Sequence, residues 1–146
     1  MKAIPAPGQG MVSPCLMVES IQDELQFLKT VFGARVHEVR GGQENSVWQV
    51  QVLLGNCILL VGRADKGSAP AASTLYVWTD DVEATYARAI EAGATLISAP
   101  TEQPSGVREA GFRDPEGNVW WIGRRRQKPS NREVERRLAE QRRKRL

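Results

Sequence analysis

The chain has one histidine, His37, two cysteines, Cys15 and Cys57, and nowhere a run approaching the roughly 20 apolar residues of a membrane-spanning helix. Each scarcity removes a class of function. One imidazole cannot build a polyhistidine metal centre, and no histidine stands by motif beside Ser13 to make it a nucleophile. Both cysteines lie in apolar strand-like runs, which suits reduced, buried thiols that are neighbours only if their strands pair, and gives no disulfide framework. Residues 1–8 contain no apolar stretch of signal-peptide length, so a cytoplasmic location and no membrane partner are expected.

What is present points to one globular domain. The 146 residues are 41% hydrophobic and 25% charged, enough for a single real core and too few for two. Charge is unevenly spread. Residues 124–146 hold 11 of the 20 basic side chains and three of the 17 acidic ones, a net +8 beside −5 on the remainder. The basic character belongs to this tail, and no aromatic residue is interleaved with its arginines to stack a base, so nucleic acid is not an expected partner.

The chain also repeats itself. Leu16-Met17-Val18, a helical run and Gly33-Ala34 are echoed by Leu75-Tyr76-Val77, a helical run and Gly93-Ala94. Gly55-Asn56 before Cys57–Val61 is echoed by Gly117-Asn118 before Val119–Ile122, so the landmarks recur 59, 60 and 62 residues on. Such spacing describes two copies of one supersecondary unit, which can bury apolar sheet faces together and leave a cleft between them.

The elements follow from local chemistry. Val12–Val18 is a strand, and Ser20 caps a helix whose apolar stripe is Ile21, Leu25, Leu28 and Phe32, with Gly33 stopping it. Strands at Arg35–Arg40, Val47–Leu54 and Cys57–Val61 complete the first copy, the last two joined at Gly55-Asn56. After a linker over Arg63–Ser73 comes the strand Thr74–Trp78. A capping box over Asp80–Glu83 then starts a helix presenting Val82, Tyr86 and Ala89. The second copy ends with a short strand Thr95–Ser98, a loop Ala99–Gly106, and strands Val107–Arg113 and Val119–Ile122 around the turn Asp114-Pro115-Glu116-Gly117-Asn118. A second capping box, Ser130 with Glu133, opens a terminal helix to Arg145 with a thin seam of Val134 and Leu138.

Strand, helix and three strands, written twice, resembles the vicinal oxygen chelate superfamily of glyoxalases, bleomycin resistance proteins and extradiol dioxygenases, and locally its PhnB-like, glyoxalase-like branch. The residues that carry the resemblance are Ser13–Val18, Phe32-Gly33-Ala34, Leu54-Gly55-Asn56, Leu75-Tyr76-Val77 with Asp80-Asp81-Val82, Ala92-Gly93-Ala94 and Arg113–Trp120. It implies an α+β fold: two tandem βαβββ modules, about 12–62 and 73–123, forming a curved mixed sheet with a central cleft in a single domain 1–123. Residues 124–146 form a basic helical tail. It implies a homodimer as well.

In the metal-dependent members the resemblance implies four His or Glu ligands, two from each copy. Aligned by motif, those places hold Ser13, Gln51, Thr74 and Trp121. None is an imidazole or a carboxylate, and an indole cannot ligate, so no metal or other cofactor is expected. His37 falls on an expected edge strand, as a surface residue. Alternation puts Thr74, Tyr76 and Trp78 on one face and Gln49 with Gln51 on another, and the alignment turns these and Trp121 toward the cleft. Of Arg108 and Glu109 only one can point inward, and Arg108 is the expected anion clamp, with a rim salt bridge as the alternative.

The expected ligand set is therefore Gln49, Gln51, Thr74, Tyr76, Trp78, Arg108 and Trp121, suited to a small planar organic molecule. The leading reading is a metal-free binding protein that sequesters such a compound, with the aromatics as cleft or interface filling the plain alternative. A lyase, isomerase or dioxygenase with misaligned ligands, for instance Glu19, Glu44 and Glu109, and an interaction module using the basic tail are the other two.

Overall fold

The computed structural model describes residues 9–42, 47–64, 70–125 and 130–145. The first module comprises β1 (Cys15–Val18), α1 (Ile21–Phe32), β2 (Arg35–Arg40), β3 (Gln49–Leu54) and β4 (Cys57–Arg63). The second repeats the order as β5 (Thr74–Trp78), α2 (Val82–Glu91), β6 (Thr95–Glu102), β7 (Val107–Arg113) and β8 (Val119–Arg125). Each forms its own four-stranded sheet, ordered β1-β4-β3-β2 and β5-β8-β7-β6, with one parallel pair, β1 to β4 or β5 to β8. The curved mixed sheet implied by the resemblance is thus built as two four-stranded sheets, and Met17 of β1 also makes an isolated bridge to Ala71, ahead of β5.

The helices begin and end where side chains satisfy their free backbone groups. Ser20 Oγ accepts from Asp23 N at 3.2 Å, and Gly33, at φ 66°, lets the chain leave α1 in a left-handed turn. In α2 the cap is Asp81, which accepts from Ala84 N at 2.9 Å. The expected box over Asp80–Glu83 is therefore one residue out of step, and no acid stands at the third helical position to reciprocate. The Ala99–Gly106 loop is also shorter than expected. β6 runs on to Glu102, because an edge strand interrupted by a register shift between Ser98 and Thr101 tolerates Pro100. Cys15 is exposed at the start of β1 rather than buried, and Cys57 is half-buried; both are free thiols.

Each sheet gives one face to a core shared with both helices. Leu16, Val18, Val50, Val52 and Val61 supply it from the first sheet, and Ala110, Phe112, Trp120 and Ile122 from the second. The α1 aromatics cross into the second module: Phe32 stacks on Phe112 at 6.3 Å and tilts against Trp120 at 5.0 Å, and Phe27 meets Phe112 edge-on at 6.2 Å. Such pairs add about 0.5–1.5 kcal/mol each beyond burial.

Module two also holds both ends of α1. The Glu116 carboxylate, in the β7–β8 turn, accepts from Glu19 N at 3.0 Å and Ser20 N at 3.3 Å. Arg88 of α2 donates to Val31 O from Nε at 3.2 Å and from Nη2 at 3.1 Å. An anion at the amino end and a cation at the carboxyl end both complement the helix dipole.

The terminal helix α3 (Asn131–Lys144) stands differently, with no buried residue. Its stability is internal: Ser130 caps it, and Glu133 pairs with Arg136 at 2.8 Å and Arg137 at 2.9 Å. These two guanidiniums pull the Glu133 carboxyl down to about 2. A chain shortened to end at Arg125 is expected to stay folded, with a melting temperature changed by no more than about 5 °C. A larger fall in a thermal melt would show that α3 is integral to the fold.

Candidate functional site

Glycines shape the open face of the second sheet, the one turned away from the helices. On β8 the alternation that buries Trp120 and Ile122 sends Trp121 and Gly123 to that face, beside Thr74, Tyr76 and Trp78 of β5. The Trp121 ring lies flat over Gly111 of β7, where an added Cβ would meet ring carbons at 2.8–3.0 Å. Over Gly123 it is the phenol end of Tyr76 that fills the space, with Oη closest and Cζ 2.8 Å from where a Cβ would stand. Only glycines leave room for rings lying against the sheet. The outcome is a row of aromatic rings with Trp78 beside Tyr76 at 5.1 Å and Arg125 above the Trp78 ring at 6.0 Å.

Polar groups edge this platform. Burial, and then the neighbouring Glu109 carboxylate, push Tyr76 up to about 12, so the hydroxyl remains a donor at any physiological pH. Glu109 is on the open face because Ala110 and Phe112 occupy the core side of β7. That same alternation overturns Arg108 as the inward clamp. Arg108 points to the helix side, where it is ion-paired with Glu83 of α2 and holds that carboxyl below its usual range. It lines a small recess of about 300 Å³ with Arg124 and the start of α2.

The first sheet contributes an unusual amide. Gln51, between Glu38 of β2 and Leu60 of β4, is fully buried, and among the described residues neither Oε1 nor Nε2 has a hydrogen-bond partner. A buried amide left unpaired costs about 1–3 kcal/mol, so a bound group able to donate and accept would recover that cost. Gln49, on the same face, receives a hydrogen bond from Arg40 Nη1 at 3.3 Å. The second sheet thus gathers Thr74, Tyr76, Trp78 and Trp121, while Gln49 and Gln51 sit together on the first and Arg108 stands apart.

The four places where the resemblance implies metal ligands do not fit a metal. Gln51 offers one neutral carbonyl and Thr74 a hydroxyl, while Trp121 lies on Gly111 with no donor atom to give. Among the described residues no three His, Cys, Asp or Glu side chains gather into a cluster. Of the alternative carboxylates, Glu44 lies outside the described residues, Glu109 is tied to Tyr76, and Glu19 is at the amino end of α1. His37 is exposed on β2, at the sheet edge.

Sequence reasoning missed two features. One is Glu24, fully buried on α1 against Asp114, whose two oxygens already take Asn118 N at 2.9 Å and Trp120 Nε1 at 2.7 Å. Burial and then the Asp114 charge push the Glu24 carboxyl up to about 9. The other is a groove of about 820 Å³ between α1 and the outer strands of the first sheet, lined by none of the expected site residues.

Residues 10–122 match the profile of the family described as the Glyoxalase/Bleomycin resistance protein/Dioxygenase superfamily. No curated protein matches the chain. Among solved structures it is similar to TioX from Micromonospora sp. ML1, with 22% identity, a TM-score of 0.65, and coverage of 83% of this chain and 100% of that one. A glyoxalase/bleomycin resistance protein/dioxygenase family enzyme from Burkholderia phytofirmans PsJN shares 25% identity over 75% of this chain and 93% of its own, with a TM-score of 0.61. The fosfomycin resistance protein FosX from Mesorhizobium loti aligns at 16% identity over 78% and 90%, with a TM-score of 0.58.

Proposed function

Because the chain belongs to the glyoxalase/bleomycin resistance protein/dioxygenase superfamily, and because its open sheet face is a bed of aromatic rings where no cluster of metal-ligating side chains gathers among the described residues, we propose that it binds a small planar organic molecule and works by holding it. The observation that carries this reading is the glycine cradle. Gly111 and Gly123 give up side chains in the middle of a sheet, at a cost in strand stability, and what occupies the space is the Trp121 ring and the phenol end of Tyr76. A planar guest stacks on such rings, and the Tyr76 hydroxyl is the polar group beside them able to orient it. Sequestration of a toxic or antibiotic compound is the role this suits, and the resemblance of Phe32-Gly33-Ala34 and Arg113–Trp120 to the PhnB-like, glyoxalase-like branch supports that branch as our reading. Tyr76 at 44% and Trp78 at 59% exposure are open for the size of their rings, which favours a homodimer whose second copy or ligand covers them.

A native mass spectrum of freshly purified protein tests subunit count and retained ligand together. Titration with a panel of uncharged bicyclic and tricyclic heteroaromatics is expected to change tryptophan emission. Trp121→Ala is expected to weaken the best binder by about 1–3 kcal/mol. A featureless panel with no retained mass, or equal binding by Trp121→Ala, would defeat the proposal.

A further inference from the structure

The groove beside α1 lies on the helix side of the first sheet and shares no lining residue with the aromatic platform of the second. Its floor is a run of β-branched residues, Val50 and Val52 of β3 with Val36 and Val39 of β2. Val50 and Val52 are core residues, whereas Val36 and Val39 are each 54% exposed. This apolar floor continues out of the core instead of closing over. Ile21 and Leu25 of α1 form the facing wall. At about 820 Å³ the groove lies within the size range of small-molecule sites. From Ile21 to Lys29 it follows about 12 Å of helix, the span of a medium-length alkyl chain.

Charge at one end selects the guest. Where α1 finishes and β2 begins, Lys29 and Arg35 both line the groove and are exposed, and among the described residues neither makes an ion pair. The carbonyls at the carboxyl end of α1 already have their own partners in Gly33 N and Ala34 N. The two cations are therefore available to an anion from outside. A basic helix such as α3, with Arg142, Arg143 and Lys144 in its last turn, would meet like charge there. We infer that this groove binds a medium-chain aliphatic carboxylate, with its chain on the valine floor and its head between Lys29 and Arg35. Burial of the chain provides the attraction and the paired cations fix its direction, as a partly desolvated carboxylate requires.

Isothermal titration of the full chain with decanoate tests this. Decanoate is expected to bind saturably, decanol at least tenfold more weakly, and acetate not measurably. Lys29→Glu with Arg35→Glu is expected to lower decanoate affinity tenfold or more without changing the melt, since both side chains are exposed. Val39→Asp is expected to weaken it similarly, and Trp121→Ala to leave it unchanged, which separates this site from the aromatic platform. Decanol binding as tightly as decanoate, no decanoate binding at millimolar concentration, or decanoate splitting a dimer in sedimentation would each overturn the inference, the last by showing that a second copy fills the groove.

Discussion

Glu24→Gln is expected to make the protein more stable at pH 8 by about 2–5 kcal/mol, and to leave it nearly unchanged at pH 5. The folded chain holds the Glu24 proton up to about 9, against 4.5 for a free glutamate, because the carboxyl is buried beside the Asp114 charge. Below pH 4.5 both folded and unfolded chains carry the proton, and the buried acid costs nothing. Between 4.5 and about 9 the unfolded chain releases it while the folded chain keeps it, so stability falls as pH rises through that window. Glutamine stays neutral throughout. Denaturant unfolding of both proteins across pH 5 to 8.5 measures the effect, and parallel pH slopes would show that Glu24 is ionised in the fold.

The second large effect separates two neighbouring tryptophans. Trp120→Ala is expected to cost about 3–5 kcal/mol, because it opens a cavity in the core under Phe32 and removes the indole donor from Asp114. Trp121→Ala is expected to cost about 1 kcal/mol or less, since its ring lies half-buried over Gly111 on the open face. Urea unfolding of the two variants decides it. Equal losses would mean that Trp121 is packing rather than platform.

This pair also shows what the sequence makes legible. Alternation along Val119–Ile122 is enough to send Trp120 inward and Trp121 outward, and the repeated glycines and caps are enough to place both modules, because these are short-range rules of strand and helix. Arg108 fails under the same rule. The phase of β7 is set by Phe112 and Ala110, and an expectation of an inward arginine does not change it. Asp81 rather than Asp80 caps α2 because the geometry of the entering strand decides which acid reaches the free N–H groups. Glu24 looks like an ordinary first-turn acid in sequence; its burial comes from Asp114, 90 positions away, and no local pattern encodes that. The groove beside α1 is equally invisible, since its walls come from α1, β2 and β3, whose mutual packing no local pattern encodes.

The grip of module two on both ends of α1 sets an order of events during synthesis. α1 leaves the ribosome before either of these partners, since Arg88 follows the carbonyl it meets by 57 residues and Glu116 follows the amide it caps by 97. While the first half of the chain is emerging, the helix has its own Ser20 cap and little else at its ends. Isolated helices of about 12 residues are marginal in water. The nascent first module therefore stays provisional, and the chain pays the closure entropy of two long loops before α1 is finished.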